Sequence, residues 1–384
     1  MRRPSLASPK RAEISTEPYL LTTTATMQKH VFSEVQRRGH EQVCFFYNSK
    51  VGLKAIVAIH NSVLGPALGG CRMRLYEDES QALDDVLRLS EGMTFKSSLA
   101  GLDLGGGKAC IIADPKLVEG RKELFAEFGR CLNRLAGRYI TAEDMGTSVD
   151  DIMHIREQSA HVAGIAPGAG GGGDPSPWTA RGVFKAMLAA CERKFGTQDL
   201  KGKRVAVQGI GHVGVYLVEH LVEAGAKVVA CDPNQDSCQQ AHTKFGIAIV
   251  ELEQIYDEPC DVFSPNAIGQ TVNSETLKRL DCSIICGGAN NQLSGASVYE
   301  TLISKKVLYC PDFVVNAGGV INVGAELIPG GYNRSWVEQK VDAIQHTTDR
   351  VLDESERRGR FPELVAVELA KERISQRERA LQGE

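Results

Sequence analysis

Short strand-like apolar runs alternate with segments of helical spacing along this chain. A short helix is expected over residues 28–38, followed by strand-like runs at 42–47 and 53–60. Gly65-Pro66 and Gly69-Gly70 then break the chain before Arg72. Across residues 79–96 the apolar Leu83, Val86, Leu87 and Leu89 recur at helical spacing. A glycine-rich stretch over 101–108 leads into a strand at 109–113 and a helix around 123–135. Six glycines fall in the ten residues 164–173, which reads as a flexible inter-domain loop ahead of a helix at 179–195. The alternation then resumes with a strand at 204–208, a helix at 215–224 and a strand at 227–231. Leu217, Leu221 and Val222 form the apolar side of that helix. The last stretch, about 45 residues, is helical and strongly charged, with Pro362 as a break, and its alternating charge suits a solvated face or a packing arm. Strands alternating with helices predict an α/β layer architecture.

Composition narrows the class. At roughly 150 residues per domain, 384 residues predict two to three domains. Glycine is in excess at 39 residues, and glycines bunch where backbone must approach a ligand. Lys plus Arg total 44 against 48 Asp plus Glu, a net charge of −4, so no nucleic-acid or membrane partner is expected. No run of 18 apolar residues is present to span a bilayer. The 11 cysteines are scattered without a Cys-x-x-Cys pair, and the nine histidines include no His-Glu-x-x-His. No metal site is therefore expected, and the thiols are expected to be buried and reduced in a cytoplasmic setting. Residues 1–26 carry Arg2, Arg3, Lys10 and Arg11 among Ser and Thr, partly as organelle transit peptides do. Glu13 and Glu17 intrude, so a disordered extension is the favoured reading over targeting.

The sharpest local signal is Val205-Ala-Val-Gln-Gly-Ile-Gly-His-Val-Gly214, which sets Gly209, Gly211 and Gly214 as G-x-G-x-x-G after a strand. Alone the triplet is weak. In a strand–turn–helix–strand frame, with Asp232 placed 23 residues beyond the first glycine, it is a dinucleotide fingerprint. The first glycine permits the tight turn, the second lets backbone touch pyrophosphate, and the third lets helix pack on strand. The helix N-terminus supplies N–H groups for the phosphates. Asp232 is expected to accept from the ribose hydroxyls and to repel a 2′-phosphate. No Arg or Lys follows it within residues 233–235, so NAD is expected rather than NADP.

Two lysines sit beside glycines, in Gly92-Met-Thr-Phe-Lys96 and Gly105-Gly-Gly-Lys108. Surface exposure is the common fate of lysine, but apolar and glycine neighbours make poor solvated loops. The second stretch lacks the spacing of a phosphate loop, which rejects that reading. These stretches resemble the glutamate, leucine, phenylalanine and valine dehydrogenase family. Leu64-Gly-Pro-Ala-Leu-Gly-Gly70, both lysine motifs (the second running from Gly101) and Thr141-Ala-Glu-Asp-Met-Gly-Thr147 look like its substrate-domain motifs. Asp174-Pro-Ser-Pro177, the fingerprint, Ala289-Asn-Asn-Gln-Leu293 and Asn316-Ala-Gly-Gly-Val-Ile-Asn322 follow in the same order. The resemblance covers roughly residues 28–380 and points to the shorter branch acting on branched-chain and aromatic amino acids.

The resemblance implies that an L-amino acid, NAD and water give a 2-oxo acid, ammonia and NADH. Lys96 is then expected to bind the α-carboxylate, helped by nearby backbone such as Gly69, with Met93 beside it. Lys108 is expected to activate water as general acid/base, burial beside another cation favouring its neutral form. Asp144 is expected to shuttle protons to and from the amine; its competing role is a cap ahead of a helix at 148–155. Ser176, Thr179, Asn290 and Asn316 match positions near the nicotinamide, with loop capping as the alternative. His212, Val213 and Ala289 complete the expected cofactor contacts. Two departures stand out: Ser264-Pro-Asn-Ala-Ile-Gly-Gln270 replaces a Pro-Cys-Ala-Leu-Gly-Gly-like run, and His212 stands where Asn is common.

Glutamate-specific relatives need a polar or basic group for the second carboxylate, because an unpaired buried charge is costly. Leu68 and Val323 stand at those positions. With Ala142 and Val320 they match the branched-chain type, so leucine is the expected substrate, with valine and isoleucine also used. Phenylalanine or tryptophan is the alternative within the family, and a non-catalytic NAD-binding sensor or scaffold is the alternative outside it. The expected architecture is α/β with two domains separated by a cleft. Residues 27–149, with helices at 341–384 packing back, form the substrate and oligomerisation domain. Residues 150–340 form a Rossmann-type NAD-binding domain, and a homo-oligomer is implied.

Overall fold

A computed structural model describes residues 31–383 of the chain. The expected extension over 1–26 and the start of the first expected helix lie outside the described residues. The helix itself is α1, Val31–Arg38.

The first sheet holds β1 (Gln42–Asn48), β2 (Leu53–Asn61), β3 (Ala67–Arg74), β4 (Gly105–Ile112) and β5 (Tyr139–Glu143), in the order β1-β2-β4-β3-β5. β2 is antiparallel to β1 and β4, whereas β3 runs parallel to β4 and β5. Strand periodicity explains how both faces are covered. Leu53, Ala55, Val57 and Ile59 pack with α3 (Arg121–Asn133) and α4 (Val149–Arg156), whereas Ile56 and Ala58 pack under α2 (Glu79–Leu99). Asp78 caps α2 by accepting from the Gln81 amide.

One glycine pair read from sequence as a break, and a glycine run read as leading into a strand, are strand interior instead. Gly69-Gly70 lies in β3 and Gly105-Gly106-Gly107 in β4. The cause is close packing. A Cβ on Gly69 would come to 1.8 Å of the Gly107 carbonyl oxygen, and one on Gly106 to 2.1 Å of the Thr94 amide nitrogen. Side chains are missing here so that β3, β4 and α2 can close on one another.

The second sheet is wholly parallel, with β6 (Arg204–Gln208), β7 (Lys227–Cys231), β8 (Ala248–Ile249), β9 (Val262–Pro265), β10 (Ile284–Ile285) and β11 (Leu308–Tyr309). Its order, β11-β10-β9-β6-β7-β8, reverses between β6 and β9. That is the doubly wound arrangement, in which a crevice opens beyond the strand ends at the switch point. Helices α5 (Ser176–Phe195), α6 (His212–Glu223) and α7 (Gln235–Phe245) belong to this half. The short α8 (Thr276–Arg279), α9 (Tyr299–Ser304), α10 (Asp312–Val315) and α11 (Gly318–Gly324) follow. The chain ends in α12 (Arg334–Asp342), α13 (Ile344–Arg358) and α14 (Pro362–Gln382), the last begun by the expected proline. α14 returns to the first half: Ser98 donates to the Ala370 carbonyl, and Arg373 donates to those of Ser98 and Leu102.

Nine of the eleven cysteines are buried and two are half-buried. Among the described residues no helix is long and apolar enough to cross a membrane.

Candidate active site

A cavity of about 620 Å³ lies between the two sheets. From the first half it is lined by Leu68, Gly69, Met93, Lys96, Lys108, Ala142 and Asp144, and from the second by Thr179, Val213, Asn290, Asn316, Val320 and Val323. Thirteen residues singled out from sequence therefore share one space, although they span positions 68 to 323 of the chain.

The floor is a chain of charges. Lys108, in β4 opposite Ala58, is buried, and its Nζ lies 3.1 Å from Asp144 Oδ2 just beyond β5. The same oxygen accepts from Arg72 Nε at 2.9 Å. The other end of Arg72 donates to Asp85 on α2 at 2.9 Å, and Tyr76 and Arg88 donate to that carboxylate too. Burial pushes the Asp144 carboxyl up, but Lys108 and Arg72 outweigh it and hold the group below its ordinary value. Asp144 caps no helix. Ser148 caps α4 by accepting from the Asp151 amide, and Asp151 reciprocates.

Lys96 occupies the last turn of α2 and also lines the cavity. Its Nζ donates to Asn290 Oδ1 at 3.1 Å, and Asn316 Nδ2 donates to the same oxygen at 2.9 Å. Burial lowers the Lys96 ammonium to about 8, with Asp312 opposing the shift and Lys108 adding to it. A positive charge that is poorly compensated by its own surroundings is what an incoming carboxylate would stabilise. Next to this polar strip Leu68, Ala142 and Val320 are buried and Val323 is half-buried. That wall carries no polar side chain.

The nucleotide side is local. Gly209 has φ +98°, and a Cβ there would meet Ala267 at 2.8 Å. A Cβ on Gly214 would come to 2.0 Å of the Gly209 carbonyl oxygen, so the turn and α6 close on each other. A Cβ on Gly211 would meet nothing within 4 Å, which leaves open room at the start of the twelve-residue α6. Asp232 accepts from the Ile210 amide at 2.7 Å and the Asn234 amide at 2.8 Å, tying the turn to the end of β7. It also borders a separate cavity of about 270 Å³ with Pro233, Gln235 and Gln254. Open backbone at a helix N-terminus, a cavity past β7 and an acid between them fit a dinucleotide.

The cofactor residues do not all reach the main cavity. Gly209, Gly211, His212, Gly214 and Asp232 stand along the turn outside it, with His212 exposed at the start of α6. Ser176 is buried in the first turn of α5, where its amide donates to Asp174. Ala289 is buried, its amide donating to the Pro265 carbonyl. The departing run at 264–270 lies against the fingerprint, and its Asn266 accepts from the Gly288 amide at 2.7 Å. Arg72, Asp85 and Asp312 were not signalled by any motif. A lone arginine after two glycines gives no hint that its partners lie 13 and 72 positions away.

The profile of the Glu/Leu/Phe/Val dehydrogenase dimerisation domain matches residues 40–161, and that of glutamate/leucine/phenylalanine/valine dehydrogenase matches 170–255 and 234–379. Leucine dehydrogenase of Bacillus subtilis is 45% identical over 350 residues, covering 91% of this chain and 95% of that protein. Phenylalanine dehydrogenase of Thermoactinomyces intermedius is 45% identical over 327 residues, covering 85% and 88%. The crystal structure of L-tryptophan dehydrogenase from Nostoc punctiforme superposes with a TM-score of 0.79 at 38% identity, covering 91% of this chain and 99% of that one.

Proposed function

The chain belongs to the Glu/Leu/Phe/Val dehydrogenase family, and from that premise we propose that its cleft oxidatively deaminates branched-chain L-amino acids with NAD, leucine foremost. The observation that carries the substrate choice is the wall of Leu68, Ala142, Val320 and Val323 beside Lys96. It offers an apolar side chain a dry surface and gives a second carboxylate no partner. Identity does not choose, since leucine and phenylalanine enzymes stand equally near at 45%.

The Lys96 ammonium pairs with the substrate α-carboxylate, exchanging its bond to Asn290 for a charge-assisted one. Asp144 takes a proton from the α-ammonium, which frees the nitrogen lone pair to form a C=N bond as hydride leaves Cα. NAD, when bound, supplies the acceptor for that hydride. Lys108 removes a proton from water as the water oxygen adds to Cα. Asp144 returns its proton to the departing nitrogen, and Lys108 passes the proton taken from water to Asp144, 3.1 Å away. Lys108 then takes the hydroxyl proton as C=O forms and ammonia leaves, to be protonated by Asp144. Arg72 takes no part in bond making and holds Asp144 in place. Amino acid, NAD and water thus become 2-oxo acid, ammonium, NADH and one proton.

The substrate half runs past the expected end at 149, through α4 and residues 161–163, which pack on and pair with the first sheet, and α14 returns to it. The NAD half runs from the glycine segment to about residue 340. The protein works as a homo-oligomer in a reducing cytoplasm. The first point rests on β1, an edge strand that exposes Phe45 at 58% and Tyr47 at 72%, an apolar surface suited to a second copy. The second rests on nine buried, unbridged thiols. Sedimentation at micromolar concentration checks the first, a monomer refuting it. NADH absorbance with a panel of L-amino acids tests the activity, leucine being expected to show the highest kcat/KM. Phenylalanine or tryptophan leading would move the chain to the aromatic branch. Bound NAD with no turnover would make it a sensor or scaffold.

A further inference from the structure

The six-glycine segment that links the two halves is clamped, and one carboxylate does the clamping. Glu326 follows α11, the helix that presents Val320 and Val323 to the cavity. Its Oε2 accepts from the amides of Gly164 at 2.9 Å and Ile165 at 3.3 Å, and its Oε1 from that of Gly172 at 2.9 Å. The segment is thus folded back on itself across a single side chain. Packing supports the fold: a Cβ on Gly171 would come to 1.8 Å of the Ile165 carbonyl oxygen, and one on Gly172 to 2.6 Å of Asn322 Oδ1 and of the Tyr332 ring. Asn322, also on α11, donates to the Gly173 carbonyl at 3.3 Å and accepts from Tyr332 at 2.8 Å. α11 therefore shows two valines to the pocket, while Asn322 and then Glu326 face the crossing segment.

The clamp reaches the pocket through Gly164. Just before it, residues 161–163 extend the pairing of β5, the Ala163 amide donating to the Thr141 carbonyl at 2.8 Å. Gly164 then takes φ +75°, and its Cβ position lies 3.6 Å from Ala142 Cβ and 4.0 Å from Val323 Cγ2. It lies against Ala142 and Val323, lining residues from the two halves, without itself lining the cavity. We propose that Glu326 is a positioning residue for substrate specificity: by fixing Gly164 between Ala142 and Val323, it sets how large a side chain the pocket accepts. The proposal rests on the reading of that wall as the substrate side-chain site. A carboxylate suits the task because each oxygen accepts more than one bond, whereas an amide would turn its NH₂ toward one of the donors.

Glu326→Gln tests this with little change of shape. Leucine kcat/KM should fall about tenfold, mostly through KM, while phenylalanine kcat/KM should change by less than about twofold. Hydrogen exchange of the free protein should show the Gly164 and Gly172 amides exchanging at least about tenfold faster in the variant. An equal fall for both substrates, or none, would overturn the specificity role, and unchanged exchange would overturn the clamp. Wild-type protein that turned over no amino acid would defeat the functional reading instead, and the exchange result would still decide the clamp.

Discussion

The two sides of the cleft use glycine for opposite purposes. At the fingerprint Gly211 leaves room open toward solvent, and Gly209 takes a φ that other residues rarely adopt. On the substrate side Gly69, Gly106 and Gly107 lie in or against regular strands, with protein atoms already filling the place of a Cβ. Gly211 leaves space for a ligand, beside Gly209 and Gly214, which close the turn on itself; the substrate-side glycines bring backbone layers close enough to carry Lys96 and Lys108 into one cavity. Glycine richness marks close approach, and only the structure tells whether the approaching body is ligand or protein.

The largest expected effect falls on the substrate side. Lys108→Ala should lower kcat about a thousandfold or more while NADH binding, followed by fluorescence, stays within about twofold. The variant should fold, because Asp144 keeps its pair with Arg72 and is not left as an uncompensated buried charge. Activity within tenfold of wild type would remove Lys108 from the chemistry.

One substitution made on each side tests the contrast directly. Gly69→Ala places a methyl 1.8 Å from a carbonyl oxygen of β4, so backbone must shift. We expect a loss of about 2–3 kcal/mol in denaturant stability, with activity falling alongside it. Gly211→Ala should leave stability within about 0.5 kcal/mol, since its methyl enters open space. Its expected effect is on NAD, a KM raised about tenfold where backbone should meet pyrophosphate. If Gly69→Ala proved neutral to stability, or Gly211→Ala proved damaging to it, the contrast would fail.

The same contrast explains what was legible in the sequence. β6 and β7 fall where the pattern puts them, at 204–208 and 227–231, because a βαβ unit is written in consecutive residues. β3 was hidden by Gly65-Pro66 and Gly69-Gly70, which look like turn residues until the strands they pack against are known. α6 starts at His212 rather than 215, since the third fingerprint glycine already lies inside the helix. The motif residues of the substrate side were readable only through family resemblance. Arg72, Asp85 and Glu326 carry no local mark, since their partners lie far along the chain. The six-glycine segment suggested flexibility by composition, yet Gly171, Gly172 and Gly173 are closely packed and Glu326 accepts from the Gly164 and Gly172 amides, while Gly168 and Gly170 meet nothing within 4 Å.

The smallest effect concerns Lys96, where the two sides of the cleft meet through Asn290 and Asn316. Its ammonium is lowered from 10.5 to about 8 by burial first, with Lys108 contributing and Asp312 opposing. The sign follows from the role. Below about pH 8 Lys96 is charged in the free enzyme and attracts the substrate carboxylate; above it the charge is lost and capture weakens. Leucine kcat/KM, which reports the free enzyme, should therefore bend downward above about pH 8, whereas the bound carboxylate should keep the group charged to higher pH in kcat. Lys96→Arg holds its charge throughout that range, because a guanidinium does not deprotonate there. The variant should lose activity at pH 7, as a planar fork replaces a point charge, but its downward bend should move up by at least about one pH unit. A bend that stayed near pH 8 would belong to another group, and the substrate carboxylate would then need a different partner.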